Sequence, residues 1–397
     1  MVYNETSFRL GSTRSVIREI FEYAKKRSAE IGGENVYDFS IGNPSVPAPE
    51  SVKNTLMRII SETDPVQLHG YSSAQGDAVV REKIASYIRS AFNTEMTADN
   101  IYMTCGAAAS LTISLRALLN PGDEVITFAP FFTEYRVFTE ASGGVLKVVP
   151  PDEKDFSIDI TAFEKLISPK TKAVIINSPN NPSGAVYSAR TLESLCSILR
   201  EKSEEYGNPV FLISDEPYRE LVYGGAEVPY ITEYYDNSIV CYSFSKSLSL
   251  PGERIGYIAV SPKMKLCKEV YAAVCGAGRA LGFVCAPVLF QRLVAECVGQ
   301  TADISVYAEN RDLLYNALKD YGYRCVKPSG AFYLFVKALE KDAKAFCEKA
   351  KKYELLLVPG DDFGCTGYVR IAYCVSTDMI KRALPSFKKL AQDYARD

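Results

Sequence analysis

The chain has 397 residues, a formal net charge of −3 and a charged fraction of 23%. Apolar residues make up 47% of it, which predicts a large core divided over two or three domains. Because no long basic run is present, we expect no binding to nucleic acid. No apolar run is long enough for a membrane span and the first residues contain no signal peptide, so we expect no membrane attachment and a cytoplasmic protein.

The sequence contains 11 scattered cysteines and a single histidine, His69. The cysteines are odd in number and form no Cys-x-x-Cys pair, which favours reduced thiols over a disulfide framework or a zinc site. With one histidine, histidine-based hydrolases and metal sites are disfavoured, and no metal is predicted. An enzyme with this composition would have to transfer protons with lysine, tyrosine or a carboxylate.

The first third of the chain predicts a helix, a short strand and two loops. The strand over 36–41 leads into Gly42, where a plain turn would also fit. Polar residues flanked by glycines predict a loop that contains Tyr71. Small residues then begin a helix, where Ala107 and Ala108 would offer backbone N–H groups to an anion. Close packing is the plainer explanation of such small residues.

Buried strands alternate with helices in the middle of the chain, which predicts a mostly parallel α/β sheet. Three of these strands, over 123–128, 172–176 and 210–214, are followed by Phe132, Asn181 and Asp215. Ligands of such sheets bind outside the carboxyl ends of the strands. A carboxylate at the end of an apolar strand needs a cationic partner, although a single aspartate there can also cap a turn.

A lysine among hydroxyl groups follows the next buried strand, over 238–241. The segment contains Ser243, Ser245, Lys246 and, after a Pro-Gly turn, Arg254. A nearby cation and little water would lower the pKa of such a lysine toward neutrality. A deprotonated amine beside hydroxyls and a guanidinium suits a Schiff base next to a phosphate. A capped turn at a strand end is the alternative.

The last part of the chain predicts a long helical stretch over 287–321, followed by three strands. Arg370 lies inside an apolar strand, and a buried guanidinium favours a planar anionic partner, either a ligand or a structural acid. The glycines in 275–282 superficially resemble a dinucleotide-binding loop. They follow a helical pattern and the third glycine is out of register, so we reject a nicotinamide-dependent dehydrogenase.

The Ser-x-Ser-Lys pattern, with Arg254 eight residues after Lys246, closely resembles the lysine motif of one enzyme family. These are the fold-type I aminotransferases of class I/II, the aspartate aminotransferase superfamily, which use pyridoxal 5′-phosphate (PLP). The resemblance extends from Gly42 to Arg370 and implies an α/β fold, the PLP-transferase fold type I. It has a mostly parallel central sheet in a large domain and a smaller α+β domain. We expect residues 1–45 to form an arm and part of the small domain, 46–285 the large PLP-binding domain, and 286–397 the small C-terminal domain.

The resemblance also implies roles for individual residues. Lys246 would form the internal aldimine and act in catalysis with Asp215 and Tyr218. The cofactor's phosphate would be held by Ala107, Ala108, Ser243, Ser245 and Arg254, its ring by Phe132 and Asp215, and its phenolic oxygen by Asn181 and Tyr218. Gly42, Asn181 and Arg370 would bind the substrate, and Tyr71 would reach the active site of the neighbouring subunit in a homodimer. The family often has tryptophan or tyrosine where this chain has Phe132, so a polar edge is lost there.

By resemblance, the predicted function is transfer of an amino group from an L-amino acid to a 2-oxo acid by a ping-pong mechanism. A PLP-dependent C–S β-lyase acting on cysteine conjugates would use the same residues and is the alternative. A PLP-sensing domain of a transcription regulator would also need a DNA-binding module, which the sequence does not show. Arg279 does not align clearly with the family's arginine for a distal carboxylate, so acidic, aromatic and aliphatic donors all remain open.

Overall fold

The computed structural model describes residues 2–12 and 16–396, which fold into two compact units. The larger unit contains Val46–Ile304 and Ser329–Ala331. The smaller unit contains the described residues up to Ser45, Ser305–Pro328 and those from Phe332 onward. We expected the last domain to begin at residue 286, but residues 286–304 belong to the larger unit. The reason is packing, because a helix in this segment lies against two earlier helices of that unit.

The described residues form alternating helices and strands along most of the chain. The strands are β1 (Tyr37–Asp38), β2 (Ile101–Thr104), β3 (Glu124–Phe128), β4 (Val145–Val149), β5 (Thr171–Asn177), β6 (Phe211–Asp215), β7 (Ser238–Ser243), β8 (Gly256–Val260), β9 (Arg324–Cys325), β10 (Tyr333–Lys337), β11 (Leu355–Leu356), β12 (Val358–Pro359) and β13 (Tyr368–Ala372). The helices are α1 (Glu5–Ser12), α2 (Val16–Ile31), α3 (Glu50–Glu62), α4 (Pro65–His69), α5 (Ala78–Phe92), α6 (Ala107–Leu118), α7 (Glu134–Ala141), α8 (Ile160–Leu166), α9 (Ala189–Tyr206), α10 (Phe244–Ser247), α11 (Cys267–Ala280), α12 (Val288–Cys297), α13 (Ser305–Asp320), α14 (Ala343–Lys351) and α15 (Thr377–Arg396).

The long helical stretch predicted over 287–321 is interrupted in the structure, which has two helices there, α12 and α13. Helix α12 ends at Cys297, and Val298 has an extended backbone. Gly299 follows with a φ of 82°, a left-handed conformation that glycine adopts without steric cost. The helical periodicity on both sides of this break concealed it in the sequence.

The larger unit is built on a seven-stranded sheet in the order β2-β8-β7-β6-β5-β3-β4. All neighbours from β7 to β4 pair in parallel, whereas β8 pairs antiparallel with both β7 and β2. The predicted mostly parallel α/β sheet is confirmed. Because β8 runs in the opposite direction, its amino end lies at the same edge as the carboxyl ends of the other strands.

Both faces of this sheet are covered by helices, which is why its strands read as continuous apolar runs. Side chains alternate between the faces, so Val174 and Leu212 pack on one side while Ile175 and Ile213 pack on the other. The first core includes residues of α3, α5, α9 and α12. The second includes residues of α6, α7 and α11. The sheet edge at the strand carboxyl ends is therefore the place where polar side chains gather.

The smaller unit contains a four-stranded antiparallel sheet in the order β12-β13-β10-β9 and a parallel pair formed by β1 and β11. Aromatic residues fill its core, where the rings of Phe39 and Phe387 lie 5.6 Å apart between centroids. This unit has the α+β composition that the sequence predicted. Among all the helices over 2–12 and 16–396, none combines the length and the apolar character that crossing a membrane requires.

Candidate functional site

The candidate site of the larger unit lies at the carboxyl edge of its sheet. Asp215 is the last residue of β6, and the neighbouring strands β5 and β7 end at Asn177 and Ser243. Gly256, the first residue of β8, pairs with both Ser243 and Thr104. Residues from distant parts of the chain are brought to one edge because the strands are parallel, and Arg254 joins them because β8 is antiparallel.

Asp215 is a buried acid with one oxygen bonded and one oxygen without a partner. Its side chain is 4% exposed, and Oδ2 accepts a hydrogen bond of 2.6 Å from the hydroxyl of Tyr135. Oδ1 is buried and has no hydrogen-bond partner. Burial, opposed by the bond from Tyr135 and assisted by the neighbouring Glu216, raises the pKa of Asp215 to about 7. An unsatisfied buried oxygen of this kind fits a cationic ligand atom.

Asn177 connects Asp215 to the loop that contains Asn181. Its side-chain N–H donates a 2.8 Å hydrogen bond to the backbone carbonyl of Asp215, and its Oδ1 accepts a 2.7 Å bond from the backbone N–H of Asn181. Asn181 is 6% exposed. Asn177 was not among the residues predicted for the site, although an amide at the end of an apolar strand is a signal for such a role.

Lys246 lies on the short helix α10, which begins directly after β7. The hydroxyl of Ser243 accepts a 3.2 Å bond from the backbone N–H of Ser245 and lies 2.7 Å from the Ser245 hydroxyl. Lys246 is half-buried, as expected for a lysine that is not a solvated surface residue. The Arg254 guanidinium lies 3.5 Å from the Ser245 hydroxyl and donates a 3.0 Å bond to the carbonyl of Pro251.

The amino end of α6 completes a cradle around Arg254. Gly106 has a φ of 85°, and a Cβ placed on it would lie 2.9 Å from a guanidinium nitrogen of Arg254. A Cβ on Gly256 would lie 3.1 Å from the Cα of Gly106 and 3.2 Å from the Cα of Ser243. Gly106, Ser243 and Arg254 therefore meet without intervening side chains. The first N–H groups of α6, from Ala107 onward, face no capping side chain, and such a terminus favours an anion.

Of the three aromatic residues predicted for the site, two are buried or half-buried and one is exposed. Phe132 is half-buried and packs edge-on against Tyr135, with ring centroids 5.7 Å apart. Tyr218 is 5% exposed. Tyr71, by contrast, is 98% exposed, so within one chain its ring is not part of a packed site. Arg279 is an exposed residue near the end of α11.

In the smaller unit, Arg370 on β13 is held between two aromatic rings. Its side chain is 3% exposed and donates a 2.5 Å hydrogen bond to the carbonyl of Ser40. The guanidinium carbon lies 4.7 Å from the ring centroid of Tyr333 and 5.1 Å from that of Phe363. These contacts orient the guanidinium plane. Arg370 was predicted for the site from the sequence, whereas Tyr333 and Phe363 were not.

Gly42 belongs to the same cluster of the smaller unit. A Cβ on this residue would lie 1.9 Å from the hydroxyl oxygen of Tyr333, so only glycine fits there without a shift of that ring. The structure therefore brings Gly42 close to the residues that surround Arg370.

Taken together, the carboxyl edge of the larger unit offers an amine, a place for an anion and a buried acid. PLP has an aldehyde, a phosphate and a ring nitrogen that becomes cationic on protonation. These groups are chemically complementary to the amine, the anion site and the acid, respectively. The matching groups are Lys246 for the aldehyde, Ser243, Ser245, Arg254 and the start of α6 for the phosphate, and Asp215 for the ring nitrogen. The residues present therefore fit this cofactor.

Comparisons with known proteins lead to the same cofactor. Residues 34–387 match the family model described as aminotransferase class I and II. A probable aspartate aminotransferase of Methanocaldococcus jannaschii is 32% identical over 95% of this chain and 96% of its own length. The aspartate aminotransferase of Thermotoga maritima is also 32% identical, over 91% of this chain and 93% of its own.

Solved structures resemble the chain over nearly its whole length. An amino transferase from Eubacterium rectale superposes with a TM-score of 0.97 at 57% identity, covering 99% of both chains. The aspartate aminotransferase of Thermus thermophilus, solved with maleate, superposes with a TM-score of 0.86 at 27% identity, covering 98% of this chain and 100% of its own.

Proposed function

The chain belongs to the aminotransferase class I and II family of PLP-dependent enzymes, and from this premise we propose how its own residues carry out the transfer of an amino group. The reaction moves the amino group of an amino acid to a 2-oxo acid. When bound, PLP supplies an aldehyde that combines with amines and a ring that accepts electrons from the substrate's Cα. The observation that carries the assignment of residues is the buried Oδ1 of Asp215, which has no partner at the edge where Lys246 and Arg254 also lie.

Lys246 is proposed as the residue that holds the cofactor covalently and moves the proton. With cofactor and substrate bound, its Nζ would remove the proton from the substrate's Cα and would return a proton to the carbon atom of the cofactor's aldehyde group. Asp215 provides the negative charge that keeps the ring nitrogen protonated. Asn181 and Tyr218 are proposed to hydrogen-bond the cofactor's phenolic oxygen, and Phe132 to stack on its ring.

The phosphate is proposed to bind to Ser243, Ser245, Arg254 and the backbone N–H groups of Ala107 and Ala108. The close approach of Gly106 to Arg254 supports this assignment, because a helix terminus and a guanidinium then point at one volume. In the smaller unit, Arg370 is proposed to bind the substrate's α-carboxylate, with Gly42 offering its backbone N–H. The two rings that orient the Arg370 guanidinium support this role.

Aspartate is proposed as the amino donor. The reported relatives from M. jannaschii and T. maritima are named aspartate aminotransferases, and the T. thermophilus structure holds maleate, a four-carbon dicarboxylate. A screen with 2-oxoglutarate as acceptor tests this directly. Aspartate should give the highest kcat/KM among acidic, aromatic and aliphatic donors, and a higher value for an aromatic or aliphatic donor would contradict the proposal.

We also propose a homodimer in the cytoplasm in which Tyr71 reaches the partner's cofactor. The nearly complete exposure of its ring supports a contact with a second copy, and the 11 free thiols support a reducing compartment. Mixing inactive Tyr71→Ala and Lys246→Ala subunits should restore part of the turnover, because hybrid dimers then contain one intact site. If hybrid dimers form but their turnover does not recover, the role proposed for Tyr71 is contradicted.

The covalent attachment has a direct chemical test. The purified protein should be yellow, and reduction with borohydride should leave the cofactor's mass on the peptide that contains Lys246. Lys246→Ala is the matched control and should show no added mass. A colourless protein that gains no mass after incubation with PLP would contradict the proposal.

A further inference from the structure

We propose that Tyr135 is a positioning residue for Asp215, because its hydroxyl holds one carboxylate oxygen and leaves the other for the cofactor's ring nitrogen. The inference rests on the proposed role of Asp215 and adds a residue that the motifs did not indicate. Tyr135 is not expected to touch the reacting atoms. It is expected to act through the orientation and the charge of the acid.

The position of Tyr135 follows from the alternation of side chains on β6. Asp215 continues the series of Phe211 and Ile213, which face the core that contains α7. Tyr135 is the second residue of α7 and is 1% exposed. Its hydroxyl lies 2.6 Å from Oδ2 of Asp215, and its ring packs edge-on against Phe132. The ring is therefore buried against Phe132, and its hydroxyl is held against the acid.

The chemistry of the phenol suits this role. A tyrosine hydroxyl has a single hydrogen, which it donates to Oδ2, and such a bond favours the ionised form of the acid. Burial and the nearby negative charge raise the pKa of Tyr135 well above its usual value, so the phenol keeps its proton beside the carboxylate. Among the described residues, other titratable groups that interact with this pair include Glu216, Tyr218, Tyr187 and Cys241. Tyr135 is the residue that hydrogen-bonds the Asp215 carboxylate.

The experiment measures the affinity of the full-length apoprotein for PLP by spectrophotometric titration, so it does not depend on turnover. Tyr135→Phe keeps the ring and removes only the hydroxyl. Since a hydrogen bond to a charged group is lost, the Kd for PLP should rise roughly 10- to 100-fold. Tyr235→Phe is the matched control, because this buried tyrosine of the same unit donates to the backbone carbonyl of Val210, and its Kd should stay at the wild-type value.

A double-mutant cycle separates positioning from simple packing. In an Asp215→Ala background, Tyr135→Phe should change the Kd for PLP no further, because its partner is already absent. An equal loss in both backgrounds would show that Tyr135 acts independently of Asp215 and would overturn the inference. A wild-type Kd for Tyr135→Phe, with a raised Kd for Asp215→Ala, would also overturn it while leaving the proposed function intact. A wild-type Kd for Asp215→Ala would instead contradict the role proposed for that acid.

Discussion

Asp215 and Glu216 are neighbouring buried acids at the end of β6, but they differ in the hydrogen bonds that their oxygens accept. Glu216 is 1% exposed, accepts hydrogen bonds from Arg219 at 2.5 Å and from Ser214 at 2.7 Å, and so has a partner for each oxygen. Asp215 faces the other side of the sheet, and its Oδ1 has no partner. An acid whose charge is balanced within the protein stabilises the fold, whereas one with an unsatisfied oxygen is suited to a ligand.

The ion pair of Glu216 is part of a closed cluster in the first core. The Arg219 guanidinium also donates to the carbonyls of Val228 and Pro229 and lies 4.9 Å and 5.1 Å from the ring centroids of Phe92 and Tyr230. No comparable cation is bonded to Asp215 among the residues that the structure describes. The comparison predicts that replacing Asp215 impairs catalysis, whereas replacing Glu216 lowers stability.

The largest effect is expected on catalysis. Asp215→Ala should leave the fold intact but reduce kcat by more than about a thousandfold, because the charge that holds the ring nitrogen protonated is lost. Steady-state kinetics at saturating PLP, with circular dichroism to verify folding, measure this change. Turnover near the wild-type rate in the folded variant would contradict the proposed role of Asp215.

Glu216→Ala is expected to act on stability instead. Removing this acid leaves the buried Arg219 guanidinium without its counter-ion, which costs about 3–5 kcal/mol of unfolding free energy. Chemical denaturation of the apoprotein provides the measurement. The remaining folded fraction should keep its affinity for PLP. A Glu216→Ala variant that is as stable as the wild type but has lost this affinity would contradict the structural role assigned to Glu216.

The raised pKa of Asp215 predicts a pH dependence of the free energy of unfolding. Burial raises its pKa from 3.8 to about 7, so between these values the folded apoprotein binds a proton that the unfolded chain has released. Stability should therefore fall as the pH rises, by roughly 2–3 kcal/mol between pH 5 and pH 7. Asp215→Asn should remove this pH-dependent part of the free energy of unfolding. If the free energy of unfolding of the wild type and of the variant change with pH in parallel, the raised pKa of Asp215 is contradicted.

Arg370 extends the comparison to buried arginines. Like Arg219, it is buried between two aromatic rings and donates to a backbone carbonyl, in this case that of Ser40. Arg370→Ala should raise KM about 10- to 100-fold for every amino acid tested, because the α-carboxylate is common to all of them. Arg311→Ala, at another buried arginine of the smaller unit, is the control and should lower stability without changing KM.

Much of the fold and of the candidate site could be predicted because the signals are local. Apolar runs specify the strands, and the residue that follows a strand of a parallel sheet must lie at its carboxyl edge. The placement of Asp215 and Ser243 therefore needed no coordinates. Arg370 could be singled out for a similar reason, because a lone arginine in an apolar strand must be buried and requires partners.

Other features depend on contacts between distant segments, which no local pattern records. Tyr135 and Asn177 meet Asp215 only when α7, β5 and β6 pack together, although 80 residues separate Tyr135 from the acid in the chain. The assignment of α12 to the larger unit likewise depends on its packing partners. The sequence by itself determined which residues lie at the sheet edge, because strand length and direction are encoded locally. Only the tertiary structure decided which neighbour bonds each oxygen, because side-chain burial and hydrogen bonding depend on every element that surrounds the site.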